Sequence, residues 1–97
     1  MTNDDVRVIL SDMLDEDVLD EMVLFENPDY ADALIGYSEP GHAVYDFDAM
    51  VDYLVKNDNM EVIDAIEFIE FNTLRAMPYA SSMGNPPIII HRIDSKY

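Results

Sequence analysis

The carboxylates of this chain restrict its fold more than any other feature, because almost all of them must lie at the surface. The sequence has 21 Asp and Glu against 5 Lys and Arg, a formal net charge of −16 at pH 7. The densest run is DMLDEDVLDEM, residues 12–22, with six carboxylates and no cation. Charged side chains are rarely buried unless they are paired. Each element must therefore present an acidic side to water and an apolar side to the core.

The apolar content is sufficient for a folded core despite this charge. Of the 97 residues, 49% are hydrophobic, including six Tyr and four Phe, so apolar burial can offset the entropy of the chain. This length favours a single domain over residues 1–97. The absence of Cys excludes disulfides, thiolate chemistry and Cys-ligated metal sites.

The hydropathy and charge patterns also exclude several partners. No stretch approaches the roughly 18 apolar residues of a membrane span, and MTNDDVRVIL has no basic signal-peptide segment, so we expect a cytoplasmic protein. Nucleic acids and anionic membranes would be repelled. The cations that could offset this are few and scattered: Arg7, Lys56, Arg75, Arg92 and Lys96.

The first residues have the spacing of an amphipathic helix. Apolar residues recur at i, i+3, i+4, i+7 and i+8, at Val6, Ile9, Leu10, Met13 and Leu14. Thr2 or Asn3 can cap the helix, which we predict over residues 3–15. It cannot continue much further, because Asp17 would fall within the apolar stripe. The acidic run is therefore expected across the helix end, where carboxylates oppose the helix dipole.

Two segments in the middle of the chain predict β-structure. The apolar run MVLF, residues 22–25, precedes the turn residues Asn27-Pro28-Asp29 and predicts a strand. ALIGYS (33–38) and AVYD (43–46) flank Glu39-Pro40-Gly41-His42. Pro at the second and Gly at the third turn position favour a β-hairpin closed by a type II turn.

Asp46 can cap a second helix that ends near Asn57. Its predicted inward residues are Phe47, Met50, Val51 and Leu54, and its predicted outward residues are Asp48, Asp52 and Lys56. A third helix is predicted from Asp58 or Asn59 to about Leu74. Its apolar arc is wide, which predicts contact with two other elements.

A last strand is predicted over residues 87–93, and the β-branched residues Ile88, Ile89 and Ile90 suit a strand buried on both faces. The predicted fold class is α+β in the order αβββααβ. It consists of a small, mainly antiparallel sheet of about four strands packed by about three helices.

No residue pattern indicates an enzyme. His42 and His91 lack the H-E-x-x-H spacing of a metal site, and Ser81 and Ser82 lack the G-x-S-x-G turn of a nucleophile. We expect no catalytic residue and no cofactor. Two acidic groups superficially resemble oxygen-ligand sites, namely Asp15, Asp17 and Glu21, and Asp46, Asp48 and Asp52. Both lack the calcium-loop pattern, so no dedicated metal site is expected.

Two stretches carry a family resemblance. DAIEFIEFNTLRAMPY, residues 64–79, and PPIII, residues 86–90, resemble small acidic proteins without an assigned activity from Gram-positive bacteria, their phages and prophages. The resemblance implies a shared fold and a mobile-element setting, and it assigns no catalytic residue. Within the first stretch, Thr73 is interpreted as bonding the backbone, and Arg75 as meeting helix-end carbonyls or carboxylates.

The charge itself suggests the function. A net charge of −16 exceeds the roughly 2 to 8 charges that a small domain needs for solubility. We therefore expect a basic, nucleic-acid-binding protein as partner of a monomer or small homo-oligomer. The first hypothesis is an inhibitor that mimics DNA charge and blocks a defence protein, of the anti-restriction or anti-CRISPR type. Its predicted binding residues are Asp12, Asp15, Glu16, Asp17, Asp20 and Glu21.

Three further hypotheses also account for the charge. An acidic adaptor or structural protein of phage or host would need no DNA mimicry, and its contacts could come from Met77, Tyr79 and Met83. The carboxylates could also form an ordinary solvated face. Adaptation to high salt would produce a similar composition, although the many bulky Ile, Phe, Met and Tyr residues argue against it.

Overall fold

The computed structural model describes residues 1–77 and 83–97 and has an α+β fold, as predicted. Its helices are α1 (Asn3–Ser11), α2 (Glu16–Glu21), α3 (Phe47–Asn57) and α4 (Val62–Phe68). Its strands are β1 (Leu34–Ser38), β2 (His42–Asp46) and β3 (Ile88–Ile90). Short 3-10 turns lie at Ala31–Ala33 and Leu74–Ala76, and a π-helical turn, Ile69–Thr73, continues α4.

The sheet is mixed and has the order β1-β2-β3. Strands β1 and β2 are antiparallel, whereas β2 and β3 are parallel, so the prediction of about four mainly antiparallel strands is met only roughly. Among the described residues, the connection between β2 and β3 contains α3 and α4. A connection of this kind lets the chain return to the same end of the sheet and pair in parallel.

The central strand is β2, and the prediction that β3 is buried on both faces is wrong. Ala43 and Tyr45 of β2 are fully buried, whereas Ile88 and Ile90 of β3 are 36% and 37% exposed. Three successive Ile residues indicate a strand because β-branched side chains suit a pleated surface. That preference does not distinguish an edge strand from a central one.

Residues 22–25 do not form the predicted strand. Met22 makes a single parallel bridge to Asn85. Met22 and Leu24 are nevertheless buried, because the extended chain alternates its side chains toward the core. Asn27 and Tyr30 then adopt positive φ angles of 55° and 50°, so the chain turns away into the 3-10 turn before β1.

The β-hairpin is confirmed, but its turn is not type II. The Glu39–Pro40 peptide is cis, and Gly41 does not adopt the positive φ that a type II turn requires at its third position. Space explains the glycine instead, since an added Cβ at Gly41 would lie 2.5 Å from Val18 Cγ1. Strand β1 also has an irregular register between Leu34 and Gly36, which leaves Ile35 as a bulge.

Helix α3 has the predicted core residues, since Phe47, Met50, Val51 and Leu54 are all buried. Asp46 occupies the N-cap position, but its side chain makes no capping hydrogen bond. Asp52 and Lys56 are exposed, as predicted. The prediction that Asp48 faces outward is wrong, because this carboxylate is only 7% exposed.

Helix α4 begins at Val62, later than predicted, because Asp58 ends α3 and Asn59 has a φ of 56°. Only one side of its apolar arc is covered. Ala65 and Ile69 are fully buried, whereas Ile63 and Phe71 are 63% and 56% exposed. The prediction that this arc contacts two elements therefore overestimates its burial. Helix α4 packs mainly against α3.

The interpretation of Thr73 and Arg75 is wrong in detail. The Thr73 hydroxyl bonds the buried hydroxyl of Tyr30 at 3.0 Å rather than the backbone. The Arg75 guanidinium lies 5.5 Å from the centre of the Phe71 ring, a cation–π contact, and within the described residues it forms no ion pair with a carboxylate.

An aromatic cluster lies at the centre of the core. The Phe25 ring packs 4.7 Å from Tyr45 and 5.7 Å from Tyr30. The backbone N–H of Phe25 donates to the Tyr45 hydroxyl at 3.2 Å, which satisfies a polar group that burial would otherwise penalise. Helix α1 covers the core through Val6 and Leu10. Within residues 1–77 and 83–97, no helix is long and apolar enough to span a bilayer.

Candidate acidic interface

The acidic run is divided between two helices rather than gathered at one helix end. Asp12 is the C-cap residue of α1, Asp15 is the N-cap residue of α2, and Glu16 and Asp17 form the first turn of α2. The helix predicted over residues 3–15 ends at Ser11, and the run continues past this end into a second helix that was not predicted. Carboxylates in the first turn of a helix stabilise it through the helix dipole, whereas Asp20 in the last turn of α2 destabilises it.

Helix α2 separates its acidic and apolar residues. At 100° per residue, Val18 and Leu19 lie on one side of this short helix. They are half-buried, and Leu19 packs against the core. The other side carries carboxylates only, at Glu16, Asp17, Asp20 and Glu21. We call these four residues the α2 acidic face.

Two close backbone approaches fix the position of α2. An added Cβ at Gly41 would overlap Val18, and one at Gly84, which has a φ of 150°, would overlap the Glu21 carbonyl oxygen. The N–H of Asn85 donates to that same carbonyl at 2.7 Å, and Val23 N–H donates to the Asn85 carbonyl at 3.1 Å. The helix is thus held between the hairpin turn and the segment before β3.

The α2 acidic face is exposed and forms no ion pair with the described residues. All six predicted residues, including Asp12 and Asp15, are exposed. In the part of the chain that the structure describes, none of the six forms an ion pair. Their negative potential is therefore screened only by water and salt. The exposure of these six carboxylates is compatible with binding, but their role as binding residues stays a prediction.

The carboxylates of α3, in contrast, accept hydrogen bonds from residues 95–97. Asp48 accepts hydrogen bonds from the Ser95 hydroxyl at 2.6 Å and the Lys96 backbone N–H at 3.1 Å. Asp52 accepts from Lys96 Nζ at 3.1 Å and from the Tyr97 hydroxyl. The Tyr97 hydroxyl, and then Lys96, lower the pKa of the Asp52 carboxyl.

The sequence did not predict this contact of residues 95–97 with α3. The helical pattern places Asp48 on the polar side of α3, and no local pattern indicates that Asp48 pairs with Ser95. Arg92, which lies close to residues 95–97 in the sequence, forms an ion pair with Asp94 at 3.1 Å and lies 4.0 Å from Asp46. Arg92 and Lys96 are the only Lys or Arg side chains in ion pairs among the described residues.

A third set of carboxylates lies on the outer side of α4. Asp64, Glu67 and Glu70 are exposed there beside Ile63 and Phe71. Like the α2 acidic face, these three residues form no ion pair in the described parts of the chain. The acidic surface is thus free on α2 and α4 and neutralised in part on α3.

Asp46, Asp48 and Asp52 line one pocket together with Arg92 and Lys96. No three His, Asp or Glu residues of the described segments are placed to hold a metal ion. His42 Nδ1 lies 2.9 Å from the Pro86 carbonyl oxygen, and the His91 ring packs 4.5 Å from Phe47. Met83 is exposed, whereas Tyr79, Ser81 and Ser82 lie outside the described residues.

No protein-family model matches the chain, and no curated protein or solved structure is significantly similar to it. The resemblance of residues 64–79 and 86–90 to small acidic phage and bacterial proteins therefore stays a prediction. The candidate site rests on the geometry of α2 and on the distribution of charge over the helices.

Proposed function

We propose that this protein binds a basic, nucleic-acid-binding protein by presenting carboxylates where that protein otherwise contacts phosphates. The observation that carries the proposal is the α2 acidic face, whose four carboxylates are exposed and unpaired among the described residues. Asp12 and Asp15 extend it toward α1. Negative charge that is not used within the protein is available to a partner.

The charge spacing of α2 is comparable with that of DNA. Six helical residues span about 9 Å, and α2 carries four outward carboxylates over its six residues. One DNA strand carries a phosphate about every 3.4 Å, hence about three over the same distance. A groove that binds phosphates can therefore meet a similar density of charge on α2.

The size of the protein suits the same role. Its longest dimension is 39 Å, close to the roughly 34 Å of one turn of duplex DNA. A molecule of this size and charge would occupy about one helical turn of a DNA-binding channel. Its net charge of −16 would also accelerate association with a basic surface. In the mobile-element setting that the resemblance implies, we propose a restriction or CRISPR nuclease as target.

A charge-matched pair of variants tests the proposal. Asp15→Asn, Asp17→Asn and Asp20→Asn together neutralise part of the acidic run, and Asn is as good an N-cap as Asp at position 15. Asp64→Asn, Glu67→Gln and Glu70→Gln remove the same charge from α4. Each protein is immobilised and exposed to a lysate of a Gram-positive bacterium, with elution by salt or by duplex DNA.

We expect the native protein and the α4 variant to retain a nucleic-acid-processing protein that duplex DNA displaces, and the α2 variant to lose it. Equal retention by both variants would contradict a role for the α2 acidic face. A partner that resists salt and DNA would instead favour the adaptor hypothesis.

A further inference from the structure

An apolar groove of about 190 Å³ lies open between α1 and β1. Its walls are formed by Ile9 and Met13 on the side of α1 and by Ile35 and Tyr37 of β1. These four side chains are 46%, 61%, 58% and 38% exposed, respectively. Buried Val6 and Leu10 lie beneath them. The groove thus offers large apolar side chains to a ligand without any change in the core.

The groove is open because α1 has more apolar residues than the sheet can cover. The sequence pattern places Ile9 and Met13 in the same stripe as Val6 and Leu10, yet β1 is an edge strand that pairs with β2 alone among the described strands. The bulge at Ile35 also interrupts the regular pairing geometry of this edge strand. A Cβ added at Gly36 would meet no atom within 4 Å, so the space beside β1 is empty.

Charge determines which occupant fits this groove. No carboxylate lines the groove within the described residues, but Asp32 contacts Met1, which lines it, and Asp12 precedes Met13 in the chain. No Lys or Arg lines it within the described residues. The amino group of Met1 lies 3.0 Å from Asp32 and is neutralised by it. A second copy of this chain would bring another net charge of −16, and an anionic membrane would be repelled in the same way. A basic polypeptide is attracted.

We propose that this groove binds an amphipathic, Lys- or Arg-rich helical segment of the same partner that meets the α2 acidic face. The inference rests on the proposed function. A helix fits better than an added strand, because the bulge interrupts the free edge of β1. Met13 lies between Asp12 and Asp15 in the chain, so one partner can contact both regions.

The two regions have different roles in this proposal. Exposed carboxylates accelerate association and make it sensitive to salt, whereas buried apolar contacts mainly slow dissociation. The acidic face therefore attracts basic proteins in general. The groove selects those that place large apolar side chains beside their cations.

Two probe peptides separate these roles. One is an amidated peptide of Leu and Lys with a helical apolar side, and the other is an oligolysine of equal charge. We expect the Leu-Lys peptide to bind more tightly and to shift the methyl NMR signals of Ile9, Met13 and Ile35, whereas oligolysine leaves these signals unchanged. Equal affinity for both peptides, or shifts confined to Ile63 and Ile90, would overturn the groove proposal.

A matched pair of substitutions gives the second test. Ile35→Ser in the groove and Ile63→Ser on α4 replace side chains of similar exposure, 58% and 63%, so both variants should fold, as circular dichroism would verify. We expect Ile35→Ser to weaken the Leu-Lys peptide about tenfold at unchanged salt dependence, and Ile63→Ser to have no effect. Equal loss in both variants would overturn the proposal.

The role of the α2 acidic face can be tested independently of the groove. Combined Asp15→Asn, Asp17→Asn and Asp20→Asn should reduce the salt dependence of binding for both peptides. No reduction would contradict the acidic interface while the result for Ile35→Ser still decides the groove. If sedimentation shows a dimer of the native protein that Ile35→Ser dissociates, the occupant is a second copy and the basic partner is excluded from this site.

Discussion

Tyr45 shows what a single residue contributes at the centre of the core. It is fully buried, and burial raises the pKa of its hydroxyl to about 12. A pKa raised in the folded state means that ionisation favours unfolding. The neutral side chain therefore stabilises the fold fully below pH 10, and this contribution is lost as the pH rises toward 12. The difference corresponds to roughly 3 kcal/mol.

Tyr45→Phe should accordingly change stability in two ways. Near neutral pH it should cost about 1 to 2 kcal/mol, because the Phe25 N–H loses its acceptor. Between about pH 10 and 12 the variant should lose stability less steeply than the native protein. Urea unfolding at each pH measures both effects, with Tyr37→Phe at an exposed position as control. Parallel pH profiles for native and Tyr45→Phe proteins would refute this role.

Gly41 and Gly36 provide a matched comparison of two glycines. Gly41→Ala would place its Cβ 2.5 Å from Val18 Cγ1, whereas the same change at Gly36 meets nothing within 4 Å. We expect Gly41→Ala to destabilise the protein by about 1 to 3 kcal/mol, and Gly36→Ala to be neutral or slightly stabilising. Thermal unfolding measures both. Adding Val18→Ala should recover part of the loss at Gly41, and additive effects would argue against their contact.

Among the secondary-structure elements, the order of the sheet and the contact of residues 95–97 with α3 differ most from what the sequence predicted. Strand β2 has a hydrogen-bonded neighbour on each side, whereas β1 and β3 have one each. We therefore expect the slowest amide hydrogen exchange in β2 and faster exchange in β3. Exchange measured by NMR should show this order. Slower exchange in Ile88–Ile90 than in His42–Asp46 would place β3 at the centre of the sheet.

The contact of residues 95–97 with α3 should weaken at low pH. The pKa of Asp52 is lowered in the folded protein by the Tyr97 hydroxyl and by Lys96. Its ionised form therefore supports the contact above its ordinary pKa, and that support is lost as the pH falls through the lower folded value. NMR signals of Lys96 and Tyr97 should move toward those of a free chain as the pH is lowered through this folded value. Asp52→Asn should abolish most of this pH dependence, whereas Asp58→Asn should not.

The sequence predicted those parts of the elements that depend on local patterns. The helical spacing identified the buried residues of α3, and the turn residues identified the hairpin. The apolar run at residues 22–25 correctly indicated burial, yet burial alone does not specify a partner strand. For the candidate site, solvation made the exposure of the six carboxylates predictable. Their division around α2, the burial of Asp48 and the exposure of Ile9 and Met13 depend on distant segments that no local pattern encodes.

For the whole molecule, the excess of negative charge is a cost to stability. Like charges repel in the compact state, and the described residues contain few ion pairs to offset 21 carboxylates. Raising NaCl from about 50 to 300 mM should therefore increase the melting temperature through screening. The α2 and α4 charge variants should each show a smaller increase. A melting temperature that falls with salt would indicate that the charges are favourably arranged.

The bond between Glu21 and Asn85 has a consequence for how the molecule folds. Helix α2 precedes its partners by a long stretch of chain, because the N–H of Asn85 binds its last carbonyl and Gly84 packs against the same group. Contacts between residues so distant in sequence form slowly, because a long loop must close first. We expect such contacts to be absent from the folding transition state, so that Asn85→Pro, which removes the donating backbone N–H, accelerates unfolding and barely slows folding. Helix α2 would thus be synthesised before Asn85 and would reach its final orientation only late in folding.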